Sequence, residues 1–249
     1  ISLKRWLPRI YRTDLTTEDF TKHEFFFREM RAKGLSPIEA VRQAFKAALI
    51  SPRFIFREEA MDVEKPDKIS EFALAHRLSY FLWSSIPDDT LWELAKNQEL
   101  RKNLKKEFLR MLSDPKLNAF IENFSGQWLQ LRDLKLATPN PDQFPEFSDA
   151  VRASMIRETE EFFKYLLIQN LPVDTLLSAN FSMVNQEMAK FYGLPGDFTE
   201  EFKRVVFTGE DSAKRGGILT HGSILAITSN PTRTSCLLYT SPSPRDCRL

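Results

Sequence analysis

Along most of this chain apolar side chains recur at three- and four-residue spacings, the rhythm of helices that bury one face. Ser36-Pro37-Ile38-Glu39 opens one such helix. The Ser oxygen can take an orphan backbone N–H, Glu39 can reach back to the cap, and Pro37 loses no bond at the first helical position. The spacing then aligns Ile38, Val41, Phe45 and Leu49. Ser70 caps a second helix, with Ile69 and Leu74 set as a hydrophobic staple and Leu74, Ala75, Leu78, Phe81 and Leu82 as its buried stripe. Pro87 stops it, and Asp88 or Asp89 starts a short successor carrying Leu91 and Leu94. Asp114-Pro115 opens a helix whose stripe is Leu117, Phe120, Ile121, Phe124, Trp128 and Leu131, which predicts a core-facing Trp128. Ser148 opens a long helix through about Ile168 that buries Val151, Met155, Phe162 and Leu166. A further helix runs from Asn185 to Tyr192 and ends at Gly193.

Three stretches leave this rhythm. Residues 138–145 contain three prolines and read as a loop, the best internal boundary. Residues 204–207 read as a short strand. Residues 216–228 form a short apolar run that period alone assigns to neither helix nor strand. The predicted fold is mainly α, a multi-helix packed bundle with a short irregular or β-containing C-terminal segment. Its parts are an N-terminal helical domain at 1–60, a central helical domain at 68–196 and the start of a third domain at 204–235. Residues 236–249, Pro/Ser-rich and unlike the rest, look like one translated frame of a sequencing-library adapter and are set apart.

Composition sharpens this picture. The chain has 21 Phe against 5 Tyr, and Phe, which lacks a polar handle, belongs in packed cores. The longest uninterrupted apolar runs, 80–83 and 165–168, are far short of the roughly 18 residues a membrane helix needs, so no transmembrane segment is expected. Both cysteines, Cys236 and Cys247, fall in the adapter-like tail. Two of the 35 basic and one of the 34 acidic residues also lie there, leaving 33 of each sign. A neutral chain has no bulk attraction for nucleic acid, and a Cys-free one has no disulfide framework or thiolate chemistry.

Candidate chemistry is sparse. Glu158 and Glu161 are one turn apart, but no Glu-x-x-His accompanies them, so Glu158, Glu160 and Glu161 read as a solvated helix face rather than di-iron ligands. His23, His76 and His221 are too scattered for a zinc motif, and His76 reads as a boundary residue bonded to a carbonyl. Serine-hydrolase, nucleotide-binding and c-type haem motifs are absent, and His221-Gly222-Ser223 is only a fragment of a nucleophile elbow. The most site-like stretch runs from Arg215-Gly216-Gly217 to Asn230 and Arg233. It is either a ligand or partner pocket with Arg233 as an anion fork, or a glycine-shaped turn with Arg233 bonded to local carbonyls. The candidate binding residues are therefore Arg77, His221, Asn230 and Arg233, and an enzyme would bring His76, Arg77, His221 and Arg233 into one cleft. No catalytic or metal-ligating residue is assigned.

Five phrases occur together in order. They are residues 49–57 (LISPRFIFR), 75–89 (AHRLSYFLWSSIPDD), 123–132 (NFSGQWLQLR), 191–195 (FYGLP), and 215–223 with 228–235 (RGGILTHGS, TSNPTRTS). In this order the chain resembles the uncharacterised domains of large secreted, cytochrome c-like proteins of planctomycete type. The resemblance implies three consecutive domains of unknown function, with no cofactor in this stretch. A c-type haem would be carried elsewhere in the full-length protein. It also implies export to the periplasm or cell surface, truncation near Ser235, and the other domains of the same polypeptide as partners. A redox- or partner-docking role, an enzyme domain acting on an extracellular substrate through a pocket near 215–233, and an interaction scaffold all remain open at this point.

Overall fold

The structure is a computed structural model and describes residues 2–56, 59, 61, 68–139, 142, 144–209 and 215–229. Two compact units divide near residue 116. Helices dominate both, and a two-stranded ribbon is the sheet present among the described residues, so the fold is mainly α.

The first unit holds α1 (Ser2–Tyr11), α2 (Thr17–Ala32), α3 (Pro37–Leu49), α4 (Pro52–Ile55), α5 (Glu71–Trp83), α6 (Asp89–Lys96) and α7 (Leu104–Leu112). Its starts are written locally. Ser36 and Glu39 close a capping box, Ser70 Oγ accepts from Ala73 N at 3.2 Å, and Asp88 Oδ1 accepts from Leu91 N at 2.9 Å. The buried face of α3, however, is not the expected one. Ala40, Ala44 and Ala48 are fully buried while Ile38 and Leu49 are exposed. The alanine row allows close approach, with Ala48 packed among Leu7, Tyr11 and Leu15, and the bulky residues are turned outward. Phe81 on α5 is likewise exposed, and the buried positions include Ala75, His76, Ser79, Leu82 and Trp83.

The second unit is built on α9 (Asp149–Ile168). Around it lie α8 (Asn118–Trp128), a 3-10 turn at Leu131–Leu136, α10 (Thr175–Ser178), α11 (Gln186–Tyr192) and α12 (Gly222–Ile227). Strands β1 (Phe181–Val184) and β2 (Lys203–Val206) pair antiparallel with Phe181 opposite Val206. The 3.6-residue period of α9 is obeyed: Val151, Met155, Phe162 and Leu166 are all buried, packed against Leu131, Leu134, Phe181, Val184, Met188, Ile218 and Ile224. Gly193 ends α11 with φ +67°, as the sequence predicts. The ambiguous stretch after Gly216 is helical, a 3-10 turn at Ile218–Thr220 followed by α12.

Trp128 corrects the reading of α8. Leu117, Ile121 and Ser125 are buried at intervals of four, whereas Trp128 is 54% exposed. Phe120, Phe124 and Trp128 form a second row one residue, about 100°, round the helix. Two adjacent rows compete for the core, and the one ending in Ser125-Gly126 wins because small side chains allow close packing.

Candidate functional site

Helix α9 carries three polar residues on its buried face, of which Ser154 accepts from Asn185 Nδ2 at 3.1 Å. Glu158 and Thr159 lie between Met155 and Phe162 on the buried face, and Glu158 is 1% exposed. The solvated-face reading of Glu158 is thus overturned: its spacing belongs to the core stripe. β1 brings Ser182, α11 brings Tyr192, and the turn into α12 brings His221 and Ser223. Ser182 Oγ donates to Glu158 Oε1 at 2.6 Å and Tyr192 Oη donates to Glu158 Oε2 at 2.6 Å. The Gly222 N–H donates to Tyr192 Oη at 2.9 Å. His221 bridges two hydroxyls, with Nε2 3.3 Å from Ser182 Oγ and Nδ1 3.0 Å from Thr159 Oγ1, which lies 2.7 Å from Ser223 Oγ.

The bond directions form one consistent chain. With Glu158 ionised, Ser182 spends its only proton on it, so Nε2 of a neutral His221 donates to Ser182 and Nδ1 accepts from Thr159. A serine nucleophile needs the reverse, its proton given to the imidazole. Electrostatics agree. Burial pulls the His221 pKa down to about 3, with the Arg215 charge acting the same way. Burial pushes Glu158 up to about 7, and the bonds from Ser182 and Tyr192 and the Arg215 charge offset this only partly. Tyr192 is held well above its ordinary value by burial and then by Glu158, while the Arg215 guanidinium stacks 3.5 Å from its ring centroid. The hollow between Glu158, Ser182, Tyr192, Arg215 and His221 is too narrow for a water molecule. A network this dry and mutually satisfied ties α9, β1, α11 and α12 together.

Glycine matters at one point of this frame. Gly217 has φ +63°, and a Cβ there would stand 2.6 Å from the Leu176 and Leu177 carbonyl oxygens. Glu160, beside the network residues in sequence, is also raised to about 7, first by burial and then by the Glu122 charge.

Arg77 lies in the first unit, exposed, with Nε donating to Glu59 Oε1 at 2.6 Å in a bidentate pair. It lines an open cleft of about 850 Å3 together with Arg12, Arg53, His76, Tyr80 and Phe81. His76 is buried and its Nδ1 is 2.8 Å from the Phe72 carbonyl, as the sequence suggests. His76 and Arg77 therefore belong to one unit and one cleft, and His221 to the closed network of the other. Asn230 and Arg233 lie outside the described residues.

A third feature is an aromatic face on α8 and α9. Phe124 stacks on Phe120 and Phe163 with centroids 5.3 and 5.4 Å apart, and Trp128 stands edge-on to Phe163 at 6.5 Å. Phe124 and Trp128 remain 41% and 54% exposed. Among the described residues no group of His, Cys, Asp or Glu is placed to hold a metal ion, and no helix is long and apolar enough to cross a membrane.

Comparison with protein families finds two matches. Residues 69–194, half of the chain, match the model described as PSD4, protein of unknown function (DUF1592). The chain belongs to the PSD4 family. Residues 2–59 match PSD5, protein of unknown function (DUF1595). No curated protein and no solved structure matches the chain. Two of the expected uncharacterised domains are therefore present in succession. The PSD4 segment supplies Glu158, Thr159, Ser182 and Tyr192, and residues beyond its end supply Arg215, His221 and Ser223. The cleft has one wall from the PSD5 segment, Arg12 and Arg53, and one from the PSD4 segment, His76 to Phe81.

Sequence reasoning found His221 but missed its partners. A Glu-Thr pair inside a core stripe, at 155-158-159-162, is the signal that marks Glu158 and Thr159. Nothing local marks Ser182 or Tyr192, which reach the network only through the tertiary fold.

Proposed function

We propose that this chain is a partner-docking, non-catalytic helical portion of an exported, c-type cytochrome-like protein, and that it docks through the aromatic face of α8 and α9. The observation that carries this reading is the exposed row of Phe124 and Trp128 stacked on Phe120 and Phe163. Rings held in place by one another lose little entropy on contact, and Trp is among the side chains that dominate interface energetics. The most enzyme-like group, Glu158-Ser182-His221, supports the same reading from the other side. Its serine proton is committed to a carboxylate, and the hollow admits no water. The haem-bearing partner and the exported setting rest on the resemblance of the five phrases.

The test is calorimetric titration of this chain with the c-type haem domain encoded in the same gene. The reading expects saturable binding, weakened at least about tenfold by Phe124→Ser with Trp128→Ser. Absence of binding, or an unchanged Kd in the double variant, contradicts it.

A further inference from the structure

We propose that the cleft of the first unit binds a small ring-bearing organic acid, with the Arg12 guanidinium as the fork for its carboxylate. Two guanidiniums of this cleft lie over aromatic rings. Arg12 Cζ is 5.2 Å from the Phe54 ring centroid and Arg53 Cζ is 4.8 Å from that of Tyr11. Stacking fixes the plane of each fork and leaves its N–H edge to recognise a planar oxyanion, at a smaller entropic cost than a free side chain incurs.

The three arginines differ in what they have left to give. Arg77 is neutralised by its bidentate pair with Glu59, and Arg53 Nη1 donates to Asp19 Oδ1 at 2.8 Å. Arg12 donates to the Phe54 carbonyl at 3.0 Å and meets no carboxylate among the described residues. It is therefore the cation whose charge is available to a ligand. Tyr80 and Phe81 on α5 line the same space, Phe81 60% exposed, so aromatic side chains border the cleft beside the arginines. Size decides between an inorganic ion and an organic acid. About 850 Å3 is the scale of clefts that hold organic ligands and far exceeds what a sulfate or phosphate fills.

The backbone at Arg12 makes a clean test possible. Arg12 sits just past the end of α1 with φ +59°, and Thr13 N closes the turn onto the Pro8 carbonyl at 3.2 Å. That left-handed position suits Gly or Asn better than Arg. Arg12→Gly should therefore fold at least as well as the parent chain, with an unchanged or raised Tm. The same chemistry could come from a sugar acid or an aromatic acid, so trigalacturonate and 4-hydroxybenzoate are titrated separately, with inorganic sulfate as the third probe. Binding of either organic acid below about 1 mM, weakened roughly tenfold or more in Arg12→Gly and in Arg12→Asn, is the expected result. Which acid binds identifies the source. No organic binding, unchanged affinity in both variants, or sulfate binding as tightly as both acids overturns the proposal.

Discussion

Replacing Glu158 by Gln removes one titrating group from the closed network, and its effect on stability should depend on pH in a defined sense. In the folded chain Glu158 holds its proton up to about 7, against an ordinary value of 4.5. A pKa raised by folding means the native state keeps a proton that the unfolded chain has released. The stabilisation is complete below about 4.5 and is lost as pH rises through about 7. At 1.36 kcal/mol per pKa unit, the difference in stability between the parent chain and Glu158→Gln should move by about 3 kcal/mol across that window, in favour of the parent at the acid end. His221 contributes the opposite trend. Its depressed value, about 3, means stability present at neutral pH is lost as pH falls from 6.5 toward 3. Glu160, also raised to about 7, adds to the Glu158 trend, so the parent chain should gain stability as pH falls from 6.5 to 4.5. In Glu158→Gln the remaining Glu160 and His221 trends oppose, so its stability should change less than that of the parent over the same range. A urea series read by hydrogen exchange of α9 peptides reports on the second unit alone. A constant offset between the two chains at every pH, or a difference that grows toward alkaline pH, would show that burial does not raise Glu158.

Other outcomes follow from burial and geometry. Phe162→Ala should cost about 3–5 kcal/mol in urea denaturation, whereas Trp128→Ala should cost less than about 1 kcal/mol because the ring is half in solvent. Gly217→Ala combines a positive φ with a Cβ pressed on backbone oxygens, and thermal melting should show a loss of at least about 2–3 kcal/mol.

The sequence carries the helices and their starts well. Ser36, Ser70, Asp88 and Ser148 all cap the helices their side chains predict, because capping is local chemistry within three residues. Which face turns inward is less legible. Counting bulky residues picks Ile38 and Leu49 on α3 and Trp128 on α8, yet the buried rows are Ala40-Ala44-Ala48 and Leu117-Ile121-Ser125. Where two rows compete, the helix buries the smaller side chains that let neighbours approach, and large apolar residues stay outside. The candidate site divides in the same way. His221 and the Gly216-Gly217 turn stand out in the sequence because a glycine pair permits the positive-φ backbone that Gly217 adopts. Glu158 looks solvated beside Glu160 and Glu161 until its place in the α9 stripe is noticed. Ser182 and Tyr192 meet Glu158 across 24 and 34 residues, a relation that only the tertiary fold creates.

The docking role is tested most directly by hydroxyl-radical footprinting of Phe124 and Trp128, in this chain alone and within the intact protein in which we propose that it docks to a haem-bearing domain. Strong oxidation of both rings in the isolated chain and marked protection in the intact protein is the predicted result. Equal oxidation of both rings in the two settings would contradict it.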